Sequence, residues 1–80
     1  MPRPLDTASR RAYNLGMASK LKAARAAKGW SQRDLARHTN GIVTHYAIAQ
    51  YEMGACHPSE AVLIILALTL NVTPDDLRGG

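Results

Sequence analysis

The sequence predicts an all-α domain of five short helices, and three observations carry that expectation. The chain is 46% apolar and 20% charged, with Ala, Leu and Arg the commonest residues and Phe absent, a globular composition that favours helices. An apolar residue followed by Ser or Thr opens "WSQRDL", "VTHYAI" and "VTPDDL", the signature of a helix start. Gly29, Gly54 and Asn71 follow "LKAARAAK", "AIAQYEM" and "AVLIILALTL", each suited to the left-handed residue that ends a helix.

Taken in order, the first five residues, with two Pro and an Arg, read as part of a flexible arm over residues 1–6, and residues 7–80 as one domain. Residues 7–15 have room for an additional short helix, continuous through Gly16 with a first helix over 17–28. Ser31 caps a second helix over 32–38, with Asp34 closing a capping box and Trp30 placed to staple onto Leu35. Thr44 caps a third over 45–53, Val43 stapling onto Ile48 while Ala47 stands where the box would want an acid. The fourth covers 60–70, and the last covers 74–78, where Thr73 caps, Pro74 presets the first turn, Asp76 completes a box and Val72 staples Leu77.

Eighty residues bury only roughly 60–65% of the unfolded surface, so a partner subunit would add stability. The lone Cys56 and a start without an apolar run point to a reducing cytoplasm. The apolar run from Ala61 to Leu68 is far short of the ~20 residues a membrane span needs, so no membrane partner is expected. The net charge of +4 divides unevenly: residues 1–50 balance to +7 and the rest to −3. A basic half of this kind fits a polyanionic partner.

The third helix is nearly neutral. With His45 at zero and about 100° per residue, Ala49, Met53, Tyr46 and Gln50 fall within one arc up to about 140°, whereas Ala47, Tyr51, Thr44 and Ile48 fall between about 200° and 300°. The second arc is a core stripe. The first offers two rings, an amide and a methyl, groups that can bond base edges: Gln50 bidentate to adenine, His45 and Tyr46 to base or phosphate, Ala49 against a thymine methyl. Arg and Lys side chains of residues 10–37 would then supply the phosphate contacts.

Leu21, Arg25, Gly29, "SQRDLA", "AIAQYEMG", Pro58, Leu66, Ala67, Leu70, Val72 and Leu77, in this order and spacing, resemble the lambda-repressor and Cro-like (XRE-type) helix-turn-helix family over about residues 17–77. The resemblance implies a compact five-helix domain whose second helix crosses the DNA backbone and whose third enters the major groove. It puts Thr44, His45, Tyr46 and Gln50 at base- and backbone-contacting positions, with Ala49 beside them, and Gln32 on a phosphate; Arg33, Arg37, Lys20, Arg10 and Arg11 complete the expected backbone set. It also implies that Arg25 and Glu52 pair, joining the first helix to the end of the third. Between Ala36 and Glu52 stand fifteen residues, two more than the family pattern, with the surplus in "RHTNGIV". Either the second helix continues past His38 or the turn is longer.

The fourth helix is apolar nearly all round, and Val62, Ile65 and Leu68 replace the polar residues usual in the family. They are expected to form an exposed patch and a homodimer interface, setting two third helices ~34 Å apart on an inverted-repeat operator. The alternative cover is the segment Leu5 to Leu15. No catalytic residue, metal site or cofactor is expected: His38, His45, His57 and Cys56 lack ligand spacing, and a Gly-rich phosphate cradle is missing. The expected function is sequence-specific double-stranded DNA binding by a small transcriptional repressor. The alternative is an antitoxin that masks a toxin, with "RPLDTASRRAYNLG" as docking segment or DNA arm.

Overall fold

The computed structural model describes residues 7–78, and side chains over residues 15–78. The arm at residues 1–6 and the side chains of Arg10 and Arg11 lie outside the described residues. Within them the chain forms five helices and no strand: α1 Thr7–Ala27, α2 Gln32–His38, α3 His45–Glu52, α4 Glu60–Leu70 and α5 Pro74–Leu77. Helix α1 is continuous through Gly16, so residues 7–15 and the expected first helix form one element.

The helix starts follow the cap chemistry. The Ser31 hydroxyl accepts from the Asp34 N–H at 3.0 Å and the Asp34 carboxylate accepts from the Ser31 N–H at 2.9 Å; Thr73 and Asp76 repeat this at 3.2 and 3.0 Å. Thr44 accepts from the Ala47 N–H at 3.1 Å with no return bond, because Ala47 has nothing to give. Ser59 caps α4 by accepting from the Val62 N–H, a start the sequence signals above do not include. At the end of α3, Gly54 has φ +74°, and a Cβ there would stand 2.8 Å from Leu15 Cδ2. The positive φ is what calls for glycine, since the near atom is the tip of a flexible, exposed Leu15 side chain and the α1 backbone stands at ordinary contact distance. Leu15 thus lies against the end of α3; the other residues of the expected cover over α4 have side chains outside the described set.

Leu21 of α1, Leu35 of α2, Ile48 of α3, Leu66 and Leu70 of α4 and Leu77 of α5 are fully buried, joined by Met17, Val43, Leu63 and Ala67. Each fully buried aliphatic side chain contributes about 1.5–3 kcal/mol, so every helix is tied to one common core. Helices α1 and α2 both pack on α3, while α1 and α4 pack on α5.

Helix α2 stops at His38, so the two surplus residues lengthen the turn. Asn40 and Gly41 take positive φ, +58° and +77°. The N–H groups of Asn40, Gly41 and Ile42 donate to the carbonyls of Arg37, Ala36 and Thr39. Thr39 is buried; its hydroxyl donates to the Ala36 carbonyl at 2.7 Å and accepts from the Val43 N–H at 3.1 Å. The turn is therefore hydrogen-bonded along its length.

On α4 the exposed strip differs from the expected one. Leu68 is 75% exposed, but Val62 and Ile65 pack partly against the core, and the open neighbour of Leu68 is Ile64. Ile64 and Leu68 are four residues apart, hence stacked on one helix face. Core contacts wrap more of α4 than its four innermost residues indicate, which moves the apolar strip sideways onto Ile64 and Leu68.

Candidate nucleic-acid interface

Helix α3 divides along its length. Ile48 is completely buried, and Ala47 and Tyr51 pack partly against the core. On the other side Tyr46 is 74% exposed, Gln50 and Met53 are exposed, and His45 and Ala49 are half-buried. The His45 and Tyr46 rings touch, centroids 4.1 Å apart and planes tilted by 33°, forming one aromatic ledge at the start of the helix. Thr44 is also exposed. Its backbone is extended (φ −77°, ψ 157°), so the helical projection that put it among core residues does not apply.

What fixes the angle of this face is a node at the junction of three helices. Arg25 donates from Nε to Glu52 Oε2 at 2.7 Å and from Nη2 to Oε1 at 2.8 Å, and from Nη1 to the Trp30 carbonyl at 2.6 Å. The Arg25 and Glu52 side chains are only 13% and 4% exposed. Hydrogen bonding to Glu52 raises the Arg25 pKa, with burial acting in the opposite direction. A carboxylate in the last turn opposes the dipole of α3, whereas a cation in the last turn of α1 complements that helix; pairing them offsets the first with the second. Gln32 joins the node by a long bond, Nε2 to Glu52 Oε1 at 3.4 Å. Half-buried there, Gln32 steadies the C-terminal end of α3 as well as standing at the start of α2.

The cations expected on phosphates separate into distinct surroundings. Arg33 is exposed and unpaired among the described residues. Arg37 is 77% exposed but held by Asp34 at 2.6 Å, one turn earlier on α2. The exposed Lys20 ammonium donates to the Arg78 carbonyl at 2.6 Å, and it adds to the Thr73 cap bonds that chiefly hold the Asp76 carboxyl below the usual range. The acidic α5 captures this long side chain, so Lys20 ties α1 to α5. Trp30 stacks on His38, centroids 3.9 Å apart and planes 14° from parallel, with Lys28 Nζ 5.9 Å from the Trp30 ring. The spacing of Trp30 and His38, eight residues across a helix start, gave no sign of that stack. Among the described residues no group of three His, Cys, Asp or Glu could hold a metal ion, and no helix is long and apolar enough to cross a membrane.

The helical arrangement has counterparts among known proteins. The helix-turn-helix family model HTH_3 matches residues 21–77. The chain belongs to this helix-turn-helix family. Among solved structures, the DNA-binding domain of BldD is similar, with a TM-score of 0.75 and 24% identity over 82% of this chain and 93% of that one. An HTH_3 family transcriptional regulator from Vibrio cholerae has a TM-score of 0.76 and 24% identity over 85% of this chain, which spans 37% of that protein. The hypothetical transcription factor NHTF from Neisseria has a TM-score of 0.75 and 22% identity over 96% of this chain and 84% of that one. At such identities the likeness is one of fold. No curated protein matches the chain. Within the helix-turn-helix unit, α2 and α3 are the paired helices and Thr39 to Thr44 the turn.

Proposed function

We propose that this helix-turn-helix protein binds double-stranded DNA sequence-specifically as a small transcriptional regulator, with α2 along the phosphate backbone and α3 in the major groove. The observation that carries the reading is the outer face of α3: Tyr46 and Gln50 stand open beside His45, with no carboxylate among them, while Ile48 beneath is sealed in the core. Gln50 suits the two-bond contact to adenine, Tyr46 and His45 bond base edges or phosphate, Ala49 permits close approach, and Thr44 reaches the backbone at the helix entry. Arg33, Arg37 and the Arg10 and Arg11 of α1 supply sequence-independent attraction; Gln32 has one amide hydrogen left for a phosphate after meeting Glu52.

The reading extends to a two-fold dimer on an inverted-repeat site, supported by the apolar strip of Leu68 and Ile64 on α4. The direct test of DNA binding is selection of bound duplexes from a random pool, followed by a salt titration on the selected site. A shared sequence motif is expected, with affinity falling about a thousandfold between 50 and 200 mM salt for six phosphate contacts. Absence of enrichment, together with a flat salt response, would overturn the proposal.

A further inference from the structure

Beyond the face of α3 lies an apolar side chain that none of the roles above uses. Ile42, in the turn before α3, is 65% exposed. A single exposed Ile is ordinary on a protein surface, so its surroundings must decide whether this one has a task. Three observations do so. The turn is held: the Ile42 N–H donates to the Thr39 carbonyl at 3.2 Å, and the buried Thr39 hydroxyl accepts from the next residue's N–H. Direction is fixed as well. Val43 is buried between exposed Ile42 and exposed Thr44, so the two flanking side chains project outward while Val43 anchors the segment in the core. Lastly, Ile42 adjoins the start of the reading helix, two residues from the Thr44 cap and four from Tyr46, which is itself 74% exposed.

We infer that Ile42 is a further specificity-determining residue, packing its branched methyls on the C5-methyl of a thymine at the edge of the segment read by α3. The inference rests on the proposed DNA-binding function. Thymine is the one base that offers an apolar group in the major groove, so a rigidly presented aliphatic side chain selects it over cytosine without a hydrogen bond. Because the turn is already ordered, little conformational freedom is lost on contact, and the small apolar gain is retained.

The test replaces each thymine of the selected duplex by deoxyuridine, one position at a time, which removes only the methyl group. Affinities are measured for the wild-type protein and for Ile42→Ala, a change at an exposed site that leaves the core intact. At one thymine per half-site the wild type is expected to lose about threefold to fivefold, the worth of one buried methyl. Ile42→Ala should bind thymine and deoxyuridine equally at that position while keeping the penalties at all others. If every deoxyuridine penalty persists unchanged in Ile42→Ala, the methyl contacts belong to other side chains, Ala49 included, and the inference falls while DNA binding stands. Failure of the wild type to prefer any duplex would overturn both.

Discussion

Arg25 and Glu52 show what a single paired residue does for this molecule. Their fork is bidentate and nearly closed to water, and it crosses from the end of α1 to the end of α3. Removing one member leaves a buried charge without its counter-ion, which costs about 3–5 kcal/mol when burial is complete. With Arg25 13% exposed, Arg25→Ala is expected at the lower end, about 3 kcal/mol, in denaturant-induced unfolding. Unchanged stability with weakened DNA binding would instead make Arg25 a phosphate contact.

Asp34 and Asp76 act in a different pH range. The Ser31 and Thr73 cap bonds, backbone first and hydroxyl second, hold both carboxyls below their usual values. A depressed carboxylate stabilises the fold above its unfolded pKa, about 3.9, and loses that contribution as pH falls through the lower folded value. The stability difference between wild type and the Asp34→Asn, Asp76→Asn double variant should therefore be larger at pH 6 than at pH 2.5. An equal difference at both would contradict the cap assignment.

Among the elements, the turn and α4 give the sharpest expectations. Thr39→Val keeps the volume but strands the Val43 N–H, for an expected loss of about 1–3 kcal/mol in thermal or denaturant unfolding. On α4, Leu68→Lys should leave the fold intact and reduce association in light scattering, whereas Ile65→Lys should destabilise the monomer because Ile65 packs against the core. A monomeric wild type at micromolar concentration would remove the dimer.

The helix starts were legible because Ser31, Thr44 and Thr73 act through bonds only three residues long, local chemistry that sequence displays directly. The end of α2 could also have been read: Asn40-Gly41 is a strong turn signal, and it argues against a helix continuing past His38. What remained hidden was non-local. Nothing in the spacing of "EAVLIILALTL" says how far core contacts wrap around α4, so it cannot separate exposed Ile64 from half-buried Ile65. The reach of Lys20 to Arg78, 58 residues away, is likewise a product of the fold.

At the scale of the whole molecule, the parts serve one arrangement. The core and the Arg25–Glu52 node hold α3 by its inner side and its C-terminal end, the hydrogen-bonded turn holds its entry, and the outer face stays free of carboxylates. Under the proposed function, the net charge of +4, with its positive excess before residue 51, would provide attraction without sequence preference. In the proposed function, base preference falls to a few side chains on α3, Gln50 foremost. The most direct measurement is the affinity of wild type and Gln50→Ala for the selected duplex and for its complete set of single base-pair changes. Wild type is expected to lose about 1–3 kcal/mol at one A·T position per half-site, and Gln50→Ala to lose that discrimination while keeping the others and its thermal stability. If Gln50→Ala instead discriminates at every position as wild type does, Gln50 does not read a base, and if Tyr46→Ala does so too, the outer face of α3 is not the reading surface.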